Sequence, residues 1–133
     1  MKKIFFLLLI IYSFSGCKKY PDDEHSIHLK TVEKRLCGKS GRGFNTQGAY
    51  NFVLNIDVST SPSDGIGFKP DGTFSCSNAP FFSTAKTWEF LKKKEGFRLT
   101  FNSGLKKEYE ITRIEDDYFW FKSDSVLFKY KAN

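Results

Sequence analysis

Three cysteines and two histidines are the side chains best suited to chemistry, and their spacing narrows that chemistry quickly. Cys17 stands directly behind two small residues, Ser15 and Gly16, in a setting suited to processing and modification of its thiol. His25 and His28 lie beside Asp22, Asp23 and Glu24, a set able to form only a loose divalent-metal site. Ordering that polar segment would cost roughly 1–2 kcal/mol per residue, so a solvated linker is the better reading and no metal is expected. No histidine follows His28, which leaves Ser-His or Cys-His nucleophilic catalysis without a base in the remaining chain. Gly38-Lys39-Ser40 has the order that ends a phosphate loop, but the glycine required five positions earlier is Glu33. Lys39 and Arg42 are left as basic residues of a Gly-rich rim loop that could meet an anion. Asp116 and Asp117 are adjacent and point apart, so they make no glycosidase pair. Neither an enzymatic activity nor a cofactor is expected.

The N-terminus carries the strongest positional signal. Lys2 and Lys3 precede an apolar run from Ile4 to Tyr12, followed by Phe14, Ser15, Gly16 and Cys17. A charged start, a short apolar core and small residues before the cut describe a secretory signal peptide. The run falls short of the roughly 20 residues that a membrane-spanning helix needs. Ser15-Gly16-Cys17 resembles the lipobox of bacterial lipoproteins, with Phe14 three residues upstream of Cys17 where leucine is usual. That resemblance implies that residues 1–16 are removed and that Cys17, acylated (palmitate among the chains), becomes the first mature residue. Residues 17–26 then read as a flexible tether and residues 27–133 as one domain. Asp22-Asp23-Glu24 resembles the acidic export signal of surface lipoproteins in the Bacteroidota, which implies an outer-membrane location, on the periplasmic face or the cell surface. The net charge of +6 includes both lysines of the removed segment, so the remaining bias is mild and no nucleic-acid partner is expected. The expected partner is the membrane, through the lipid anchor, and the domain is expected to be monomeric. Cys37 and Cys76 would remain in an oxidising compartment and are expected to form a disulfide, with two buried free thiols as the alternative.

The elements that must position these residues are mostly strands. Ile27, Leu29, Val32 and Leu36 fall near helical spacing before Gly38, which predicts a short helix over 28–36. Tyr50, Phe52, Leu54, Ile56 and Val58 alternate with other residues, predicting a strand over that stretch. Pro70-Asp71-Gly72 marks a tight turn between Ile66–Phe68 and Phe74–Cys76. Trp88 and Phe90, then Phe97, Leu99 and Phe101, then Tyr109 and Ile111, then Tyr118–Phe121, then Val126, Phe128 and Tyr130 are separated by short turns. No helical crossover fits between them, so sequential strands must pair antiparallel. An all-β, up-and-down meander of seven or eight strands with one apolar face closes into a barrel. Lys92–Lys94 and Lys106-Lys107 then sit roughly 20 Å apart at opposite ends of one strand, as solvated turn lysines.

The run from Ile66 through Lys69-Pro70-Asp71-Gly72-Thr73-Phe74 resembles a hairpin of small lipocalin-like lipoproteins of Bacteroidota. Similar to that family too are Thr87-Trp88-Glu89-Phe90 with Phe97–Phe101, and Tyr109-Glu110-Ile111 with Tyr118–Phe121 and Leu127–Tyr130. Leu36-Cys37-Gly38-Lys39 resembles its opening motif, with Ser40 where tryptophan is expected. The resemblance implies a small barrel and names no ligand. Of fifteen Phe, six Tyr and two Trp, only Phe5, Phe6, Tyr12 and Phe14 precede Cys17, so the domain is heavily aromatic. These rings can plug a small barrel or line a cavity. The leading expectation is a non-catalytic barrel binding a small hydrophobic ligand among Phe52, Phe68, Trp88, Phe90, Phe101 and Tyr109. The alternative is a filled barrel acting as an interaction, inhibitor or immunity-type envelope module. Phe81-Phe82, in a loop, either caps the mouth or offers a binding surface.

Overall fold

The computed structural model describes residues 19–24 and 30–133, so the leader, Cys17 and both histidines lie outside the described residues. Helix α1 spans Val32–Cys37, starting at Thr31, whose hydroxyl accepts from the Lys34 amide at 3.3 Å. Nine strands follow: β1 Arg42–Asn51, β2 Ile56–Val58, β3 Gly65–Phe68, β4 Phe74–Ser77, β5 Ala85–Phe90, β6 Gly96–Phe101, β7 Lys106–Ile114, β8 Tyr118–Lys122 and β9 Val126–Ala132. All pairings are antiparallel, in the order β4-β3-β1-β9-β8-β7-β6-β5, with β2 also on β1. Because β2 and β3 pair with successive halves of β1, they act as one interrupted strand. The result is an eight-stranded meander nearly closed into a barrel. Its β4–β5 seam is joined by the Thr73–Thr87 bridge and by the Trp88 amide on the Gly72 carbonyl at 2.8 Å.

Two local readings are corrected. The alternating stretch Tyr50–Val58 is a hairpin, because the Asn51 side chain accepts from the Val53 and Leu54 amides and Asn55 takes a positive φ. The Gly-rich rim loop expected at Lys39 and Arg42 runs no further than Gly41, where the chain leaves the turn. The chain then becomes β1, whose inward positions Phe44, Thr46 and Ala49 leave room for rings from elsewhere. Gly48, at φ 138°, accommodates the bulge between Thr46 and Gly48 in the β1–β9 pairing.

The interior is built on Phe68, which is fully buried. Its ring lies 5.2–5.4 Å from those of Phe74, Trp88, Phe97 and Phe119, mostly edge to face, and 6.3 Å from Phe44. A second group surrounds Phe121, with Phe97 at 5.0 Å, Phe128 at 5.2 Å and Tyr109 at 5.5 Å. The turns at 69–73, 91–95 and 115–117 lie at one end of the barrel, with α1. Those at 52–55, 78–84, 102–105 and 123–125 form the opposite rim.

Phe68→Ala should destabilise the domain by about 3–5 kcal/mol in urea unfolding, because the five surrounding rings cannot all collapse into the space. A loss below about 1 kcal/mol would mean that the centre of the barrel is loosely packed.

Candidate functional site

Five of the six proposed ligand-lining residues lie on the inner face of the barrel, packed against other side chains of the core. Phe68, Trp88, Phe101 and Tyr109 are buried, and Phe90 packs partly buried on Trp88 at 5.0 Å. The Trp88 indole donates to the Lys69 carbonyl at 2.9 Å, which fixes the ring across the seam. Phe52 is corrected: it lies on the β1–β2 tip, 44% exposed, because the hairpin turn begins there.

At the rim, the 3-10 turn Pro80–Phe82 lays Phe82 over the mouth. Phe82 is buried against Phe74, Tyr109, Phe121 and Phe128, with centroids 5.2–6.2 Å away. Phe82 is therefore a cap, while Phe81 rests on Phe128 at 5.5 Å and remains 44% exposed. Lys39 and Arg42 are not their neighbours. Both lie at the opposite end, and Arg42 is a strand residue whose guanidinium donates to the Arg35 carbonyl at 2.7 Å and to that of Asp116. Its donors are engaged by main chain, so the flexible anion-binding loop is not present.

The expected disulfide is also absent. Cys37 ends α1 at the lower end and donates to the Glu33 carbonyl. Cys76, on β4, donates to the Phe82 carbonyl under the cap. Both thiols are free, and burial pushes both pKa values up.

Three features were not read from sequence. The first is the packed stretch Lys19–Glu24, part of the expected tether. Tyr20 is buried and donates to the Lys94 carbonyl at 2.7 Å. The Asp22 amide donates to the Thr112 carbonyl at 2.7 Å, and the buried Asp23 carboxylate accepts from the Ile114 amide at 2.7 Å. Arg35 stands 4.0 Å from Asp23 and donates to the Ile114 carbonyl. This strap closes the lower end; an aromatic residue within an acidic tether was its one signal.

The second is the upper rim itself. Phe52, Val53, Leu54 and Ile56 are 44%, 67%, 64% and 52% exposed, an apolar cluster at one hairpin tip. Strand β7 pairs with β6 from Lys106 to Glu110, but with β8 only from Glu110 onward. Its Lys106–Tyr109 edge therefore faces an open groove of about 490 Å³ lined by Phe81, Asp124, Val126 and Phe128. A larger open groove of about 850 Å³ continues from it along the outer wall, past Phe52, Leu91, Arg98 and Lys122. The third is an outer-wall staple. Arg113 lies 4.2 Å and 4.7 Å from the rings of Tyr118 and Trp120, and Lys129 stands 4.7 Å from Trp120.

No protein-family model matches the chain, and neither does any curated protein or solved structure.

Burial raises the Tyr20 and Tyr109 phenols to about 12; for Tyr20, Arg35 opposes this while Asp23 and Glu95 add to it. The neutral phenol is thus favoured in the folded state. Stability should hold below about pH 10, the unfolded value, and fall as pH rises toward 12. Tyrosinate absorbance should then appear together with loss of near-ultraviolet circular dichroism; early, independent titration of every tyrosine would contradict this. In the unfolded chain, Cys37 and Cys76 should each take up alkylating agent without prior reduction. A mass two hydrogens lighter than the reduced chain would restore the disulfide.

Proposed function

We propose that this chain is a lipid-anchored protein of the outer membrane, non-catalytic, whose filled lipocalin-like barrel presents its upper rim to another envelope protein. The observation that carries this reading is the contrast between interior and rim. Phe68 touches five other rings inside the barrel, while four apolar side chains stand exposed at the Phe52–Ile56 tip. Exposed apolar surface is costly to keep soluble, and a contiguous patch marks an interaction site more often than an accident. The free edge of β7 beside that rim can take an extended segment of a partner, with main-chain hydrogen bonds supplying affinity. The lipid anchor rests on the Ser15-Gly16-Cys17 pattern, and the lack of any histidine after His28 supports a non-catalytic role. A carrier would instead need interior space that these rings already occupy.

A photo-crosslinking side chain placed at Val53 in living cells should give one discrete adduct, reduced at least about tenfold by Leu54→Asp. The same group at Lys131, on the outer wall, should give none. Equal crosslinking from both positions, or none from Val53, would remove the rim from consideration.

A further inference from the structure

Strap packing has a geometric consequence for any protein held at Cys17. Tyr20 is locked to the lower end of the barrel by its bond to the Lys94 carbonyl, and Asp22 and Asp23 continue the attachment along β7. Only three residue steps separate Tyr20 from Cys17, so their Cα atoms cannot be more than about 11 Å apart. A tether free as far as residue 26 would reach about three times as far, so the packed strap holds the lower end much nearer to Cys17.

We infer that the lower end of the barrel is a membrane-apposed face, seated on anionic phospholipid headgroups through Lys19, Lys92 and Lys93, with the apolar rim held away from the bilayer. This rests on the reading that Cys17 carries lipid. The β5–β6 turn projects Lys92, Lys93 and Lys94 beside the strap, and Lys93 and Lys94 hold positive φ, an uncommon conformation for lysine. Lys19 lies over the Tyr20 ring at 5.6 Å and so joins the same cluster. Lys94 is engaged by Glu33, whereas Lys92 and Lys93 form no ion pair among the described residues. Asp23 is held by Ile114 and Arg35, Glu24 by Arg113 and Glu33 by Lys94, so Lys19, Lys92 and Lys93 stand against Asp22 and Glu95, a surplus of one positive charge at the end nearest the anchor. Lysines close to an anionic surface are attracted to it within about a Debye length, and three residue steps keep them in that range. The ten residues of β1, at about 3.3 Å each and tilted, place the Phe52–Ile56 tip roughly 25 Å farther from the bilayer.

The test uses the native lipidated protein in vesicles of phosphatidylglycerol and phosphatidylcholine. Intact mass is read first, and lysine acetylation rates follow by peptide mass spectrometry. Lys19, Lys92 and Lys93 should be acetylated at least about fivefold more slowly than in detergent, while Lys106 and Lys107 at the upper rim should be unchanged. Tyr20→Ala, checked for native circular dichroism, should release the strap and abolish that contrast. Phosphatidylcholine vesicles alone should reduce it. A protein without acyl mass overturns the inference through its premise. An acylated protein with uniform protection, or with Lys106 and Lys107 protected, overturns the geometry itself.

Discussion

The packing around Phe68 is the constraint on which the rest of this structure depends. Six aromatic rings, Phe68 included, meet near the barrel centre, five of them drawn from five different strands around the central one. Burying a ring of this size is worth a few kcal/mol, and edge-to-face contacts add about 0.5–1.5 kcal/mol per pair. To admit so many rings, the wall must be thin elsewhere. Strand β1 contributes only Phe44, Thr46 and Ala49 inward, while on the outer face of β3 Gly65 and Gly67 let the serines of β4 lie close over the wall. Gly67 sits so close to Ser75 that an added Cβ would lie 2.6 Å from its hydroxyl. On the inner face, the small Thr46 and Ala49 and the large rings are thus one arrangement.

A filled barrel still has two ends to close, and they are closed by different means. The upper end takes an apolar plug, Phe82, delivered by a three-residue turn. The lower end takes a polar junction in which the Ile114 amide donates to Asp23, its carbonyl accepts from Arg35, and the two buried charges stand 4.0 Å apart. A buried charge pair is a weak source of net stability, but removing one partner strands the other at a cost of about 3–5 kcal/mol. Such a junction therefore specifies how the N-terminal segment sits more than it strengthens the fold. That asymmetry separates an attached end from a free, apolar one.

The later strands were legible because their physics is local: Phe97-Leu99-Phe101 and Phe119–Phe121 alternate cleanly between short turns. Strand β1 was not, since Phe44 is its only large inward residue and its glycines read as loop composition. Tyr50–Val58 misled in the opposite sense, with apolar alternation overridden by Asn51 and Asn55 turn chemistry. That error moved Phe52 from an expected interior to the exposed tip. Cys37 and Cys76 were paired on compartment grounds, which cannot place two thiols at opposite ends of a barrel within reach. The strap was hidden because Tyr20 and Asp23 find their partners 74 and 91 residues away, on the turn before β6 and on β7.

Occupation of the interior by the protein's own side chains is what separates a filled barrel from a carrier. Native mass spectrometry of the protein, purified gently from its own host, tests this most directly. The expected spectrum shows the polypeptide with no non-covalently retained apolar molecule. A stoichiometric small molecule released only on unfolding would contradict the filled barrel and return the function to its interior.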